Sequence, residues 1–237
     1  MDLLTIPNTQ PREKADYRED GSLDLIKIFY TIQGEGPYAG CPSVFVRLAG
    51  CNLDCALCDT NYTQGRFKAD VDKIAGAIGA LATRNCRLVV MTGGEPFRQN
   101  VAPLVQRMLK SGWFFQFETN GTMCPSNLPE HPHISIVCSP KAPSLNTRIV
   151  QRSNLALKYV LDAENIDAKD GLPTSVLGNG IRPARPPGDI LPRQVYVQPC
   201  DHPDHATYQR NVQATVKSSM EFGYRLSVQI HKYVGLD

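Results

Sequence analysis

The sequence predicts an α/β fold with a largely parallel sheet and helices outside it. Short apolar runs alternate along the chain with segments whose apolar residues recur at helical spacing, and this alternation favours parallel strands joined by helices. Polar motifs directly follow four of the apolar runs, which is where parallel strands usually carry functional residues. A chain of 237 residues is long enough for one domain of this class.

Apolar residues at helical spacing predict helices over residues 70–81 and 101–110. The polar residues 1–22 are predicted to be a mobile tail, and residues 23–237 a single domain. Residues 167–193 are rich in Pro and Gly and are predicted to be an insertion or long surface loop. Strands are predicted over residues 43–48, 88–91, 114–117, 134–137, 156–161, 195–197 and 226–230.

Composition argues against several classes of protein. The net charge is only +2 and no basic run is present, so the sequence shows no positively charged surface suited to binding nucleic acid. No apolar run reaches transmembrane length, and the first twenty residues lack the apolar centre of a secretory signal. Eight cysteines in 237 residues are too sparse for a disulfide scaffold. We therefore expect a cytoplasmic protein with neither a nucleic-acid nor a membrane partner.

Cys51, Cys55 and Cys58 stand in one short segment with the spacing Cys-x3-Cys-x2-Cys. Cysteine thiolates are the usual ligands of a [4Fe–4S] cluster, and three of them leave one iron open to a chelating ligand. This spacing resembles the signature of the radical S-adenosylmethionine (SAM) enzymes, in which the open iron binds the amino and carboxylate groups of SAM. A zinc loop is the alternative, but structural zinc needs four ligands and no second pair follows.

Other residues have the chemistry of ligand-binding groups. Gly94 and Glu95 follow a predicted strand, where glycine lets a ligand approach and a carboxylate can accept hydrogen bonds from an ammonium group. Gln33 and Glu35 have hydrogen-bonding groups suited to a polar heterocycle. The guanidinium group of Arg47 is suited to bidentate binding of a carboxylate.

Two further candidates are less specific. The hydroxyl group of Thr60 could cap a turn or bind a hard cation such as Mg2+. A lone histidine such as His231 is more often structural or exposed than functional.

Taken together, these motifs resemble the 7-carboxy-7-deazaguanine synthase (QueE) family of radical SAM enzymes. The resemblance extends from about Leu25 to Asp237. The runs that carry it are Tyr30-Thr-Ile-Gln-Gly-Glu-Gly36, Arg47-Leu-Ala-Gly-Cys51, Cys58-Asp-Thr60, Thr92-Gly-Gly-Glu-Pro96, Glu118-Thr-Asn-Gly121, Ser139-Pro-Lys141, Val197-Gln-Pro199 and His231-Lys-Tyr233. The family's Asn-Glu-Leu-Lys run is the exception, because its Asn and Glu are missing from the comparable run here, Leu155-Ala-Leu-Lys158.

The resemblance implies a ring contraction of 6-carboxy-5,6,7,8-tetrahydropterin to 7-carboxy-7-deazaguanine with release of ammonia, a carbon–nitrogen lyase reaction in queuosine biosynthesis. The implied cofactors are a [4Fe–4S] cluster, SAM and Mg2+. SAM supplies a 5′-deoxyadenosyl radical, so no side chain is expected to do the chemistry itself. The family also implies a shortened, incomplete (β/α) TIM-type barrel with an extra C-terminal strand, a homodimer, and an electron donor such as flavodoxin or ferredoxin.

The family's sites can be carried over residue by residue. Cys51, Cys55 and Cys58 would bind the cluster, and Thr60 would bind Mg2+. The implied SAM site comprises Leu57, Cys58, Asp59, Gly94, Glu95, Ser139, Pro140, Lys141, Gln198, Pro199, Cys200 and Asp201. The implied pterin site comprises Ile32, Gln33, Gly34, Glu35, Arg47, Thr92, His231 and, through its C-terminal carboxylate, Asp237.

Two other functions remain as alternatives. Another small radical SAM enzyme, such as a glycyl-radical activase, would share the cysteine loop but would not need Gln33, Glu35 and His231 for a pterin. A cluster- or metal-binding interaction protein would use the loop only structurally. The polar motifs at the predicted strand ends argue against this second alternative.

Overall fold

The computed structural model describes residues 8–178 and 180–236, and Asp237, the expected C-terminal pterin ligand, lies outside them. Nine strands in this part of the chain form one sheet. They are β1 (Leu23–Ile32), β2 (Pro42–Leu48), β3 (Phe67–Ala69), β4 (Leu88–Gly93), β5 (Phe114–Thr119), β6 (Ile134–Cys138), β7 (Leu155–Leu161), β8 (Val195–Pro199) and β9 (Arg225–Leu226).

Most of the sheet is parallel, and it is open. The strand order is β3-β1-β2-β4-β5-β6-β7-β8-β9, so β3 and β9 are its edges. β1 runs antiparallel to β2 and β3, whereas the pairings from β2 through β9 are parallel. The predicted α/β fold is therefore confirmed, and an open sheet of parallel strands is consistent with the incomplete barrel. Strands β2, β4, β5, β6, β7 and β8 each contain one of the predicted apolar runs.

The prediction of a last strand over residues 226–230 is wrong beyond Leu226. β9 pairs with β8 through only two residues, Arg225 and Leu226. The chain then turns, because the Ile230 N–H donates to the carbonyl of Gly34 at 3.2 Å and a short helix begins at Ile230. The extra C-terminal strand is thus present but short, and a helix follows it.

The helices are α1 (Val71–Leu81), α2 (Ala102–Leu109), α3 (Thr147–Val150), α4 (His205–Phe222) and α5 (Ile230–Tyr233). α1 begins where predicted, since the Asp70 carboxylate accepts a hydrogen bond from the Lys73 N–H at 2.8 Å and caps the helix. Pro103 lies in the first turn of α2, where backbone N–H groups have no acceptor within the helix, so its missing N–H costs no helical hydrogen bond. α4, which the periodicity did not predict, ends at Gly223 with a left-handed φ of 74°. None of the helices in the described residues is long and apolar enough to cross a bilayer.

The central strands are buried on both faces, as parallel strands usually are. Alternate residues point to opposite faces, and one face packs into an apolar core that includes Phe115, Phe117 and Leu157. The other face carries Gln116 and Lys158, among other buried polar residues. This second face is polar enough to form a binding site.

The two segments predicted to be irregular make many contacts. Residues 8–22 hydrogen-bond to the body of the protein, including the Glu13 N–H to the Cys51 carbonyl at 2.7 Å. In residues 167–193, Leu172 and Ala184 are buried, and the Tyr159 hydroxyl donates to the Ala184 carbonyl at 2.7 Å. The division into tail and domain stays a prediction, but the described part of the tail is bound to the domain.

Candidate functional site

The cysteine loop follows β2 and packs closely against the turn that follows β4. The Glu95 N–H donates to the Gly50 carbonyl at 3.0 Å. A Cβ atom at Gly94 would lie 2.1 Å from that same carbonyl oxygen, so only glycine permits this approach. The two motifs that are 35 residues or more apart in the sequence therefore form one unit at the ends of neighbouring parallel strands.

The thiols of Cys51, Cys55 and Cys58 are all free. Burial raises the pKa of Cys51 to about 12, and the nearby Cys55 and Cys58 add to the increase. Burial also raises the pKa of Cys58. No three His, Cys, Asp or Glu side chains among the described residues are already drawn together as a metal site. Three neighbouring thiols in one loop have the soft donor set that an iron–sulfur cluster requires, so the residues fit that cofactor.

Glu95 is fully buried, and protein donors occupy both of its carboxylate oxygens. Oε1 accepts from the Phe97 N–H at 3.0 Å and from the Thr119 hydroxyl at 2.8 Å. Oε2 accepts from the Asn120 N–H at 2.8 Å. Burial raises the pKa of Glu95 to about 7 in spite of these donors. In this structure Glu95 holds the turn at residues 119–121, and its contact with SAM stays a prediction.

The substitution Glu95→Gln should lower the free energy of unfolding by about 1–3 kcal/mol, because an amide nitrogen would then face a buried donor that needs an acceptor. Urea denaturation of the cluster-free protein measures this difference. Glu221→Gln, on the exposed face of α4, is the matched control and should change stability by less than about 0.5 kcal/mol. Equal stabilities of the two variants would contradict the role of Glu95 in holding the turn.

A buried cluster of charges lies on the polar face of the sheet. The Lys158 ammonium contacts Oε2 of Glu35 and lies 3.2 Å from Oε2 of Glu118. Burial alone would raise the pKa of Glu35, but the charge of Lys158 outweighs burial and lowers that pKa to about 2. Burial would lower the pKa of Lys158, yet the two carboxylates raise it above its usual value. Burial raises the pKa of Glu118.

Four glutamine amides complete this charge cluster. Gln229 and Gln198 donate to Oε1 of Glu35 at 2.8 and 3.3 Å. Gln116 and Gln33 donate to Oε1 of Glu118 at 2.6 and 3.2 Å. Of the residues in the cluster, Gln33 and Glu35 were predicted for the pterin and Gln198 for SAM, so the structure brings parts of both predicted sites together.

Sequence reasoning did not assign Glu118, Lys158, Gln116 or Gln229 to a site. Glu118 and Lys158 lie within family-like runs, and their charge in otherwise apolar strands was the available signal. Gln116 lies in an apolar strand as well, two residues before Glu118 and therefore on the same face. Gln229 lies in the segment that was wrongly predicted to be a strand, so its side chain could not be placed facing Glu35 from the sequence.

Arg47 lies at the carboxyl end of β2 and is paired in register with Thr92 of β4. Glu118 lies on β5, one residue beyond the Met91–Phe117 pair. The Nε atom of Arg47 is buried and has no hydrogen-bond partner among the residues that the structure describes. A buried guanidinium nitrogen without a partner is costly, so an anion bound beside it would satisfy it.

His231 lies over the glycine-rich loop after β1. A Cβ atom added to Gly34 would lie 1.9 Å from Nδ1 of His231, so the imidazole packs directly against the backbone of Gly34. Burial lowers the pKa of His231, which favours the neutral imidazole. Gly34, two residues beyond Ile32 at the end of β1, therefore lies beside His231, and a shared pterin pocket stays a prediction.

The remaining predicted SAM residues are spread over several loops. The Lys141 ammonium donates to the Ser139 hydroxyl at 2.7 Å. Burial lowers the pKa of Lys141, and the charge of Lys158 lowers it further. Asp201 pairs with Lys232 at 2.5 Å on the exposed surface. The other predicted SAM residues are Leu57, which is exposed, Asp59, which accepts from the Thr60 hydroxyl, Pro140, Pro199 and Cys200.

Comparison with known proteins adds independent findings. The Radical SAM superfamily matches residues 46–133, which contain the cysteine loop and the Gly-Gly-Glu run. A 7-carboxy-7-deazaguanine synthase from Rhodospirillum rubrum is 44% identical over 232 residues, covering 94% of this chain and 96% of that protein. A protein of the same name from Rickettsia prowazekii is 36% identical over 228 residues, covering 92% and 91%.

The fold has a solved counterpart. The crystal structure of QueE from Escherichia coli aligns with a TM-score of 0.67 and 25% sequence identity. The alignment covers 88% of this chain and 94% of that one. The likeness therefore extends over most of the chain rather than over one motif.

Proposed function

The chain belongs to the 7-carboxy-7-deazaguanine synthase family of radical SAM enzymes, and from this premise we propose that it converts 6-carboxy-5,6,7,8-tetrahydropterin into 7-carboxy-7-deazaguanine with release of ammonia. The observation that carries the proposal is the buried Nε of Arg47 at the end of β2, which has no hydrogen-bond partner in the described part of the chain and lies beside Thr92 at the polar face of the sheet. A carboxylated heterocycle matches this face, because a carboxylate suits Arg47 and a ring edge rich in N–H groups suits Glu35 and Glu118.

The chain's own residues would bind, orient and shield the reactants. Membership in the radical SAM superfamily implies a [4Fe–4S] cluster and SAM, which together supply the radical that begins the reaction. We propose that Cys51, Cys55 and Cys58 hold the cluster. Arg47 would bind the substrate carboxylate, and His231, neutral by virtue of its burial, would accept or donate a hydrogen bond at the ring.

The charge cluster would set the hydrogen-bonding character of the pocket. Glu35 stays ionised at neutral pH because Lys158 lowers its pKa to about 2, so its carboxylate presents acceptors only. Burial raises the pKa of Glu118, and the charge of Lys158 opposes this rise. Both carboxyl groups lie within reach of the Lys158 ammonium, and their oxygens would accept hydrogen bonds from N–H groups along one ring edge.

Several finer points belong to the same proposal. The Thr60 hydroxyl lies 3.1 Å from a carboxylate oxygen of Asp59, and such hard oxygen donors suit Mg2+. Loss of ammonia makes the reaction a carbon–nitrogen lyase reaction. Family resemblance supports a homodimer, an electron donor such as flavodoxin or ferredoxin, a cytoplasmic location and a role for the carboxylate of Asp237. A glycyl-radical activase is not favoured, because the relatives cover nearly the whole chain.

An anaerobic turnover assay tests the proposal. Reconstituted protein, reductant, SAM and Mg2+ are mixed with 6-carboxytetrahydropterin, and the products are followed by mass spectrometry. We expect 7-carboxy-7-deazaguanine to form without matching consumption of SAM. Cleavage of SAM to 5′-deoxyadenosine with the pterin unchanged would contradict the substrate and keep only the superfamily.

The substitution Arg47→Ala should weaken binding of the carboxylated pterin by about 10- to 100-fold, since a charge-assisted hydrogen bond is lost. Binding of SAM should be unchanged. Titration of the reconstituted protein with each ligand measures the two dissociation constants. Arg84→Ala, at an exposed position after α1, is the control. Equal losses for both ligands would show that Arg47 is structural rather than a substrate ligand.

A further inference from the structure

The segment at residues 8–16, which we name the N-terminal clamp, lies across the cysteine loop, and the proposed chemistry gives it no role. Asn8 donates from its backbone to the Ala56 carbonyl at 2.8 Å and from its side chain to the Cys55 carbonyl at 3.1 Å. The Glu13 N–H donates to the Cys51 carbonyl at 2.7 Å. The clamp therefore binds the backbone of two of the three proposed cluster ligands directly.

Gln10 secures the end of the loop beyond Cys58. Its amide nitrogen donates to the Thr60 carbonyl at 2.9 Å, and its amide oxygen accepts from the Tyr62 N–H at 2.6 Å. The same oxygen accepts from the Thr63 hydroxyl at 3.1 Å. One side chain thus bridges Thr60, Tyr62 and Thr63 through both its donor and its acceptor.

Tyr62 joins the clamp to the interior of the loop. Its side chain is 1% exposed, and its hydroxyl lies 3.2 Å from the Gln10 carbonyl and 3.4 Å from the Leu53 carbonyl. The Asn8 amide donates to this hydroxyl at 3.3 Å. The clamp therefore hydrogen-bonds to the buried Tyr62 side chain of the loop as well as to the loop's backbone carbonyls.

The far end of the clamp is anchored to the turn that carries Glu95. Arg98, which is 3% exposed, donates to the Lys14 carbonyl at 2.8 Å and lies 3.3 Å from the Glu13 carboxylate. The Asp16 N–H donates to the Arg98 carbonyl at 2.8 Å. The clamp therefore spans from the cysteine loop to the turn after β4 and fixes one against the other.

We propose that the N-terminal clamp pre-organises the cysteine loop for its iron–sulfur cluster, with Gln10 and Asn8 as positioning residues. The inference rests on the proposed ligation by Cys51, Cys55 and Cys58. A loop whose carbonyls are already bound loses less conformational freedom when three thiolates meet on one cluster. Groups around metal ligands set how tightly the metal is held, and their removal costs about 10- to 100-fold in affinity.

The test compares full-length Gln10→Ala and Asn8→Ala with Thr9→Ala, an exposed control in the same segment. After anaerobic reconstitution, iron and sulfide content and the rate of iron release to a ferrous chelator are measured. The spectrum of the reduced cluster is recorded by electron paramagnetic resonance. Hydrogen exchange of the cluster-free proteins reports on the backbone of residues 51–62 and, separately, on the sheet.

We expect iron release from Gln10→Ala and Asn8→Ala to be about tenfold faster or more, with faster exchange in residues 51–62 and unchanged exchange in β4 to β8. Thr9→Ala should match the unaltered protein. Unchanged iron release and loop exchange in both variants would overturn the clamp. Cys55→Ala is measured alongside: loss of iron in that variant while Gln10→Ala keeps it would reject the clamp and leave the ligation standing. Full iron in Cys55→Ala would reject the ligation itself.

Discussion

Cys55→Ala should abolish reductive cleavage of SAM and remove most of the iron from the reconstituted protein. Three thiolates are needed to hold a [4Fe–4S] cluster with one open iron, so the loss of one leaves a second iron without a protein ligand. Cleavage of SAM should fall more than about 100-fold, since loss of a ligand exceeds the effect of losing an outer group. Cys55 is the best choice because the Asn8 hydrogen bond goes to its backbone carbonyl, which the substitution keeps.

Iron and sulfide analysis and the formation of 5′-deoxyadenosine measure the effect. Cys86→Ala is the matched control: Cys86 is a buried free cysteine whose thiol donates to the Pro42 carbonyl at 3.4 Å, away from the loop. It should keep its cluster. Retained SAM cleavage in Cys55→Ala would contradict the ligand assignment. Stoichiometric zinc in the unaltered protein, with no iron retained, would instead support the zinc loop.

The parallel strands were predictable because their burial is continuous. The run at residues 88–91 is buried at every position, and an apolar run with polar ends has few other placements in a compact domain. The cysteine loop and the Gly-Gly-Glu run were predictable for a different reason. The spacing of their residues indicates the chemistry, and the carboxyl ends of the parallel strands β2 and β4 bring the two motifs together.

The helix α4 was missed because its buried face is polar. α4 faces the protein through Asn211, Thr215 and Ser218, which are all buried, so its inward stripe lacks the apolar periodicity that predicts a helix. These side chains bind backbone groups, as when the Ser218 hydroxyl donates to the Gly171 carbonyl at 2.7 Å. Satisfied buried polar groups of this kind depend on partners that are distant in the sequence.

The part of the charge cluster beyond Gln33, Glu35 and Gln198 was missed because its partners, too, are distant in the sequence. Lys158 and Glu35 are 123 residues apart in the sequence, and only the sheet order brings β7 opposite the loop after β1. Local patterns report on neighbours along one element, whereas a pairing of this kind is decided by tertiary packing. The same applies to the N-terminal clamp, whose polar composition is that of a solvated tail until its partners in the cysteine loop are known.

Lys158→Met should lower the free energy of unfolding at neutral pH by about 3 kcal/mol or more, because it leaves two buried carboxylates without their shared cation. Methionine keeps most of the length and volume of the lysine side chain, so packing changes little. Lys217→Met, at an exposed position on α4, is the matched control and should be within about 0.5 kcal/mol of the unaltered protein. Urea denaturation of the cluster-free proteins measures both.

The pH dependence separates charge from packing as the cause. In the unaltered protein the pKa of Glu35 is near about 2, below its ordinary value, so Glu35 contributes stability above pH 4.5 that is lost as the pH falls towards 2. Without Lys158, burial is left to raise the pKa of both Glu35 and Glu118, and the folded variant then gains protons as the pH falls. The stability difference between the two proteins should therefore shrink between pH 7 and pH 4. A difference that stays constant over this range would assign the loss to packing and contradict the ionic role of Lys158.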